Sequence, residues 1–490
     1  MNKYFLPLLL LTILLFACKK DFMDNDQSAT LHFSTDTITF DTIFASIGSI
    51  TKTLTVYNRN NFDVKSNIAL LGNSAANFRM NIDGIPGNSQ TNIEIPAKDS
   101  IFIFLEVTID PSSSNTPYIL SDSLVFTTGT KKQDVDVVAW GQDAYFHTAN
   151  TYGDIINGTD TTRFYYHLLD CTTAWTNDKP HVIYGYAVVD PGKTLTINEG
   201  CNVYLHNNSG ILVGNPFLEA SGGSIKVNGT LGNEVTFQGD RLDPWYNDVP
   251  GQWDRIWLMP GSIDNEINYA IIRNANIGIH ADTVANNNPT VSITNTIIEN
   301  MSAIGILGQG ANISATNTVV SKCGQYAVAC NIGGTYNFTH CTLANFWDFS
   351  RRSTPSILLN NYYEGADGNI YVRNLEEANF TNCIIDGNLS TEVSFQEQEL
   401  GDFNYSFDHC LIKLDPTIDT DNSHYQSVII NQSPEFVNNT ESDFHLTEDS
   451  PAIDAGTSDV FDNDFYNILK TDLDGLDRDL NNPDLGAFEF

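Results

Sequence analysis

Two rhythms of apolar residues divide this chain. Between about Leu31 and Asp143, short runs alternate apolar and polar positions, as in Thr53-Leu54-Thr55-Val56-Tyr57, Ile101-Phe102-Ile103-Phe104-Leu105, Ser123-Leu124-Val125-Phe126 and Asp134-Val135-Asp136-Val137-Val138. A period of two belongs to a strand with one buried face, and the Gly, Asn and Ser clusters between the runs mark turns. About seven such runs in some 110 residues predict a β-sandwich over 31–143. Residues 144–180 hold few strand signals and are expected to form a linker and a cap over the open end of a second domain.

From residue 181 to 490 the rhythm changes to short strands rich in Asn, Thr and Ile. One motif recurs, as Asn268-Tyr269-Ala270-Ile271-Ile272, Thr294-Asn295-Thr296-Ile297-Ile298, Thr316-Asn317-Thr318-Val319-Val320, Thr339-His340-Cys341-Thr342-Leu343, Thr381-Asn382-Cys383-Ile384-Ile385 and Asp408-His409-Cys410-Leu411-Ile412. Equivalent positions are 270, 296, 318, 341, 383 and 410, spaced 26, 22, 23, 42 and 27 residues apart. A near-regular β-rich repeat of this length is the mark of a parallel β-helix coil, and the long gap predicts an insertion near Trp347 to Gly365. Leucine-rich repeats share the period but need a leucine frame that is absent. Cys341, Cys383 and Cys410 occupy one repeat position and should stack inside as small fillers, where a serine would bury a hydroxyl at a cost of roughly 1–3 kcal/mol. Asn295, Asn317 and Asn382, with His340 and His409, occupy the preceding repeat position and should form a second ladder at a turn.

The N-terminus and the charge narrow the setting. Residues 4–17 are almost wholly apolar and end in Leu15-Phe16-Ala17-Cys18, followed by Lys19-Lys20-Asp21. The run is too short for a membrane span but suits a secretory signal. The ending resembles a bacterial lipobox, which implies a signal peptide over 1–17, lipid attachment at Cys18 and a tether over 18–30. The charged tract after the cysteine resembles the surface-export signal of Bacteroidetes lipoproteins, which implies anchoring in the outer membrane with the protein exposed at the cell surface. The net charge of −36 argues against nucleic acid as a partner, and against uronic-acid polymers unless cations intervene. The seven cysteines other than Cys18 include no C-x-x-C pair, against a zinc site, and their odd number argues against a complete disulfide framework.

The patterns also carry family resemblances. The order of strand signals in 31–143 is similar to the immunoglobulin-like sandwiches of bacterial surface proteins and of ciliary and centrosomal proteins, implying a spacer or interaction module. Pro191-Gly192-Lys193-Thr194-Leu195-Thr196-Ile197 and Gly223-Ser224-Ile225-Lys226-Val227-Asn228-Gly229-Thr230 resemble the opening coils of secreted right-handed β-helix proteins. Ser450-Pro451-Ala452-Ile453-Asp454-Ala455-Gly456 and the ending Pro483-Asp484-Leu485-Gly486-Ala487-Phe488-Glu489 resemble the closing segment of choice-of-anchor or β-helix repeat proteins. The expected fold is therefore all-β, an immunoglobulin-like sandwich followed by a right-handed, pectate-lyase-like solenoid with an acidic closing segment.

Such solenoids host lyases and glycosidases, which need a base or converging carboxylates. The Asn-Thr-Asp, Asp-Asp and Gly-His-Gly steps of polygalacturonases are not found in the coils, so the catalytic residues stay unassigned. Arg273, Glu299, Asp386 and Lys413 fall at equivalent outward positions and could line a face, although a solvated surface shows such rows too. Trp245, Tyr246 and Trp347 are the candidate sugar-stacking aromatics, while Trp253 and Trp257 more readily pack a loop against the coil. Asp472-x-Asp474-Gly475 suggests calcium, against the plainer reading that these aspartates pair with Arg478 to close the last coil. No other cofactor is expected. Two functions fit these residues: a non-catalytic, lipid-anchored protein that binds glycan or another macromolecule along its β-helix, or a polysaccharide lyase or glycoside hydrolase on the same scaffold.

Overall fold

The computed structural model describes residues 29–490 apart from 45–47, 110–117, 158–159, 219–221, 283–288 and 463–465; Cys18 and the signal-like run lie outside the described residues. The chain divides into two compact units, 1–144 and 145–490.

The first unit is a β-sandwich of two sheets, each with five strands among the described residues. One sheet contains Lys52–Tyr57, Ser100–Val107 and Phe78–Ile82; the other contains Thr37–Phe44, Lys131–Gln142, Tyr118–Thr128 and Val64–Leu70. The alternation read from sequence is the burial pattern. Leu54, Val56, Ile101, Ile103, Leu105, Phe126, Val135 and Val137 are buried, while Phe102 and Phe104 between them face outward. Thr37–Phe44 runs parallel to Lys131–Gln142, with a register shift at Ala139/Trp140.

The second unit is a parallel β-helix. Its strands form an 11-stranded, a 10-stranded and a 9-stranded sheet among the described residues, here called A, B and C, in which, apart from a hairpin at the start of sheet B, each strand pairs in parallel with its counterpart one coil later. One coil runs through Asn265–Asn268 in sheet C, Ala270–Arg273 in sheet A and Ile277–Ala281 in sheet B.

The Asn ladder makes the sharp corner from C to A. Tyr269, Asn295, Asn317, His340, Asn382 and His409 all have φ between 45° and 53°. That left-handed region suits Asn better than most residues with a Cβ. Asn295 Nδ2 donates to Asn268 Oδ1 at 3.1 Å, and Asn317 Nδ2 to Asn295 Oδ1 at 3.2 Å, so the corner side chains bond from coil to coil.

The next position is the filler ladder: Ala270, Thr296, Thr318, Cys341, Cys383 and Cys410 are all at most 1% exposed. Thr296 and Thr318 donate their hydroxyls to the carbonyls two residues earlier, at 2.8 and 3.0 Å. The thiols of Cys341, Cys383 and Cys410 make the same contact at 3.4, 3.2 and 3.4 Å. This corrects the expected cost of a serine, because the rung already supplies an acceptor for a hydroxyl. Behind it, Phe338, Phe380, Phe407 and Tyr425 stack at 5.0, 5.0 and 5.7 Å along the interior of sheet C.

Two expectations change. Residues 145–180 are more than a linker and cap: Tyr145–His147 starts sheet A, and Thr151–Asn157 with Asp160–Leu168 forms an antiparallel hairpin on the end of sheet B. The hairpin escaped the sequence pattern because Tyr152, Ile155, Ile156 and Tyr165 are exposed and blur the alternation. Beneath it His147 lies against Trp175 and His181, with Nε2 2.9 Å from His181 Nδ1. Burial pulls His147 down to about 3, helped by His181, and pulls His181 down to about 4. The enlarged coil also extends beyond residue 365, to a hairpin of Tyr362–Glu364 and Ile370–Val372.

The second change is larger. The acidic C-terminal segment does not simply close the last coil; it folds back along the outer face of sheet A. Phe444, Leu473, Ala487 and Phe488 bury Val319 and Ala344, and Leu446, Ala452 and Leu485 bury Ile384 and Leu411. Asn317 Nδ2 donates to Thr471 O at 2.9 Å, Gly486 N to Asn382 O at 2.8 Å, and Ala487 N to Thr342 Oγ1 at 3.0 Å. Arg478, 4% exposed, pairs with Glu489 at 3.0 Å and reaches Asn317 Oδ1 at 3.2 Å. The expected closing pair with Asp472 and Asp474 is thus replaced by one with Glu489. Asp472 spends its two oxygens on the N–H groups of Leu476 (2.7 Å) and Glu489 (2.9 Å), and Asp474 bonds His445 at 2.8 Å. The calcium-like spacing therefore serves the fastening of this strap.

Candidate functional site

With sheet A covered, the outer face of sheet B becomes the informative surface. Its register aligns Leu168, Val188, Leu212, Trp257 and His280 in one outward ladder, between inward rows that include Ala187, Ile211, Ile256 and Ile279. Phe164 comes from the hairpin strand Asp160–Leu168, and Tyr186 opens the strand Tyr186–Val189. Phe217 stands on the turn after Gly210–Val213, with its N–H on Asn215 Oδ1 at 3.0 Å. A Cβ at Gly153 would run into the Phe217 ring, so glycine lets the hairpin cross it.

Together these residues wall an open groove of about 380 Å³, bounded by Phe164, Tyr186, Leu212, Phe217, Trp257 and Met259, with Asp154 and Ile155 at its rim. Phe164 lies 5.3 Å from Tyr186 and 5.8 Å from Phe217, centroid to centroid.

The polar setting is ordered. Tyr186 donates its hydroxyl to Asp254 Oδ2 at 2.9 Å, and burial with that carboxylate keeps the phenol protonated far above its ordinary range. Arg255 Nε meets the same oxygen at 3.0 Å, and its guanidinium lies 5.5 Å from the Trp257 ring. His280 stacks on Trp257 at 4.8 Å. Burial lowers the His280 pKa, which suits a neutral ring that takes Arg255 Nη1 at Nδ1 (3.2 Å) and donates from Nε2 to Gln309 Oε1 (2.7 Å). Trp257 Nε1 is buried without an acceptor. Flat apolar rings beside fixed hydrogen-bonding groups can hold a ligand that is itself flat and apolar on its faces and polar at its edge.

The residues singled out from sequence have mixed fates. Trp245 is 82% exposed on the turn Pro244–Tyr246, whereas Tyr246 is half-buried with the Arg241 guanidinium 3.9 Å from its ring centroid. Trp347 is not an open aromatic: it is 4% exposed and donates to Ser350 Oγ at 3.0 Å. It packs because the adjoining loop is pinned by Arg352, whose guanidinium bonds both oxygens of buried Glu392 at 2.7 and 2.8 Å. Trp253 is fully buried and donates to Arg273 O at 2.9 Å, as its packing role required.

Arg273, Glu299 and Asp386 do share one outward ladder, but Ser321 and Ala344 interrupt it. It is not an open charged face. Arg273 Nε bonds Gln238 at 2.8 Å, burial pushes the Glu299 carboxyl up, and Asp386 is 6% exposed. Asp386 does border a second cavity of about 500 Å³ with Lys413, Glu435 and Phe436. There Lys413 Nζ is held by Asp386 at 3.2 Å and by Gly387 O at 2.7 Å, so both charges are already engaged.

Phe164, Tyr186 and Phe217 were missed; Trp257 packs against the coil beside Val188 and Leu212, as read, and also borders the groove. Only the register of sheet B brings them together. Its trace in the sequence is the aromatic or apolar residue flanked by inward aliphatics in Ile256-Trp257-Leu258 and Ile211-Leu212-Val213.

No protein-family model matches the chain, and no curated protein matches it. Among solved structures it is similar to pectate lyase Pel9A, at 14% identity over 71% of this chain and 88% of that one, with a TM-score of 0.27. It is also similar to the catalytic domain of a GH87 α-1,3-glucanase solved with tetrasaccharides, at 9% identity over 77% and 91%, TM-score 0.22. A human CEP192 ASH/PapD-like domain matches at 13% identity over 26% of this chain and 94% of that domain, TM-score 0.18.

Proposed function

We propose that this is a non-catalytic glycan-binding protein of a bacterial envelope, held at the outer membrane by lipid on Cys18, with its ligand seated on sheet B of the β-helix. The observation that carries the reading is the aromatic-walled groove of Phe164, Tyr186, Phe217 and Trp257. Sugar rings present flat C–H faces to such walls and hydroxyls to the polar rim, and four partly exposed rings from four separate segments meet here. The sandwich would act as spacer between anchor and solenoid, in keeping with its immunoglobulin-like strand pattern. A lyase or hydrolase reading would need a free base or a converging carboxylate pair, and at the second cavity Asp386 and Lys413 are engaged with each other.

The test is a glycan array followed by calorimetry on the full-length protein. Stacking on an aromatic face is worth about 1–3 kcal/mol where measured on nucleic acids, so Trp257→Ala should weaken binding tenfold or more. Undiminished binding by Trp257→Ala would move the ligand elsewhere. Release of unsaturated uronate or new reducing ends by the wild type would make the protein an enzyme. Palmitate labelling that persists in Cys18→Ala would remove the lipid anchor from the proposal.

A further inference from the structure

The charges around the groove bear on which sugars it admits. Taking the groove as a glycan site, we propose that it binds uncharged sugars and turns away uronates. Among the described residues its lining holds one charged side chain, Asp154. The cations nearby are already matched one to one. Arg163 faces Asp154 at 3.5 Å, with its guanidinium 4.5 Å from the Tyr152 ring. Arg255 is held by Asp254 at 3.0 Å and by His280 at 3.2 Å. A uronate brings a carboxylate on every ring. Seated against Phe164 and Trp257, it would be an extra anion beside Asp154 and Asp254, in a protein of net charge −36 that repels it before contact.

The hydrogen-bonding groups agree with that exclusion. Tyr186 commits its proton to Asp254, so it offers a ligand its ring rather than a donor. Uncharged hexoses and pentoses bring the apolar ring faces that the four aromatics match, and they add no charge. The groove thus separates two glycan classes by charge while using the same stacking for both.

The experiment titrates the full-length protein by calorimetry with cellohexaose, xylohexaose, laminarihexaose and hexagalacturonate, all in EDTA so that no divalent cation bridges carboxylates. The expected result is that at least one neutral oligosaccharide binds, that Trp257→Ala weakens it tenfold or more, and that hexagalacturonate binds at least tenfold more weakly. Asp154→Asn removes the carboxylate opposite Arg163 and should raise hexagalacturonate affinity severalfold. Hexagalacturonate binding as tightly as the best neutral sugar, in a Trp257-dependent way, overturns the charge selection and leaves the groove standing. If none of the four shows Trp257-dependent binding, the groove reading fails and this inference with it.

Discussion

Sheets A and B are wound from the same coils, yet their outer faces are covered differently. On sheet A the outward row Ile297, Val319, Thr342, Ile384, Leu411 is apolar but for Thr342, and the C-terminal strap lies on it; Ile384 is 1% exposed and Leu411 not at all. On sheet B the corresponding row buries Val188, Leu212, His280, Ala329 and Leu358 but leaves Trp257 and Leu307 partly in water. An apolar outward ladder on a solenoid can therefore be covered by the chain's own tail or left partly in water. The difference lies in what covers it.

Fastening sets the largest expected effect. Arg478→Ala leaves Glu489 buried without its cation and strips a bond from Asn317, so it should cost about 3–5 kcal/mol in urea unfolding. A loss below about 1 kcal/mol would mean that the strap contributes little to holding sheet A. Next, Leu411→Ala on sheet A should cost about 2–5 kcal/mol, as for a core leucine, whereas Leu307→Ala on sheet B should cost about 1 kcal/mol or less. Equal costs would erase the distinction between the two faces.

Acid probes the cap, where the two sheets begin. The unfolded chain protonates the imidazoles of His147 and His181 near 6.5, whereas the folded chain resists until about 3 and about 4, chiefly because both are buried. Protons thus favour unfolding throughout that window. Their contribution is complete above pH 6.5 and drains as pH falls, by up to about 1.4 kcal/mol per unit for each group. The measurement is unfolding free energy between pH 6.5 and 5, above the main carboxylate range. A flat profile there, or one unaltered in His181→Asn, would show that these rings are not held neutral. The smallest effect belongs to the filler ladder: Cys341→Ser should cost under about 1 kcal/mol, since Thr296 and Thr318 already house hydroxyls on equivalent rungs. A thiol reagent should leave Cys341, Cys383 and Cys410 unlabelled under native conditions, and rapid labelling would contradict their burial.

Most of the scaffold was legible because solenoid stacking repeats local chemistry. A residue that tolerates positive φ, a small buried filler and an inward aliphatic recur every 22 to 27 residues in most coils, and each leaves a mark on the motif. The strap was less legible, although Ile297-Ile298, Val319-Val320 and Ile384-Ile385 carried its trace. In a strand only one of two consecutive apolar residues can face the interior, so each pair signals a covered outer face. The groove was least legible. Phe164, Tyr186, Phe217 and Trp257 lie 22, 31 and 40 residues apart, and no local pattern joins them until the coil pitch and the hairpin set them side by side.

The strap also alters how the solenoid comes apart. A stack of repeats touching only their neighbours can fray one coil at a time, with stability a sum of local terms. Here Arg478 and Asn317 are 161 positions apart, and Ala487 and Thr342 are 145 apart, yet each pair is hydrogen-bonded. These long-range bonds tie coils that would otherwise melt independently into one cooperative unit. They also delay completion. Until the final residues are made and delivered, Val319, Ile384 and Leu411 stay uncovered, and a chain cut short before residue 440 would display them permanently. A truncated product would thus advertise its own incompleteness as a greasy stripe, the kind of surface that chaperones and proteases recognise.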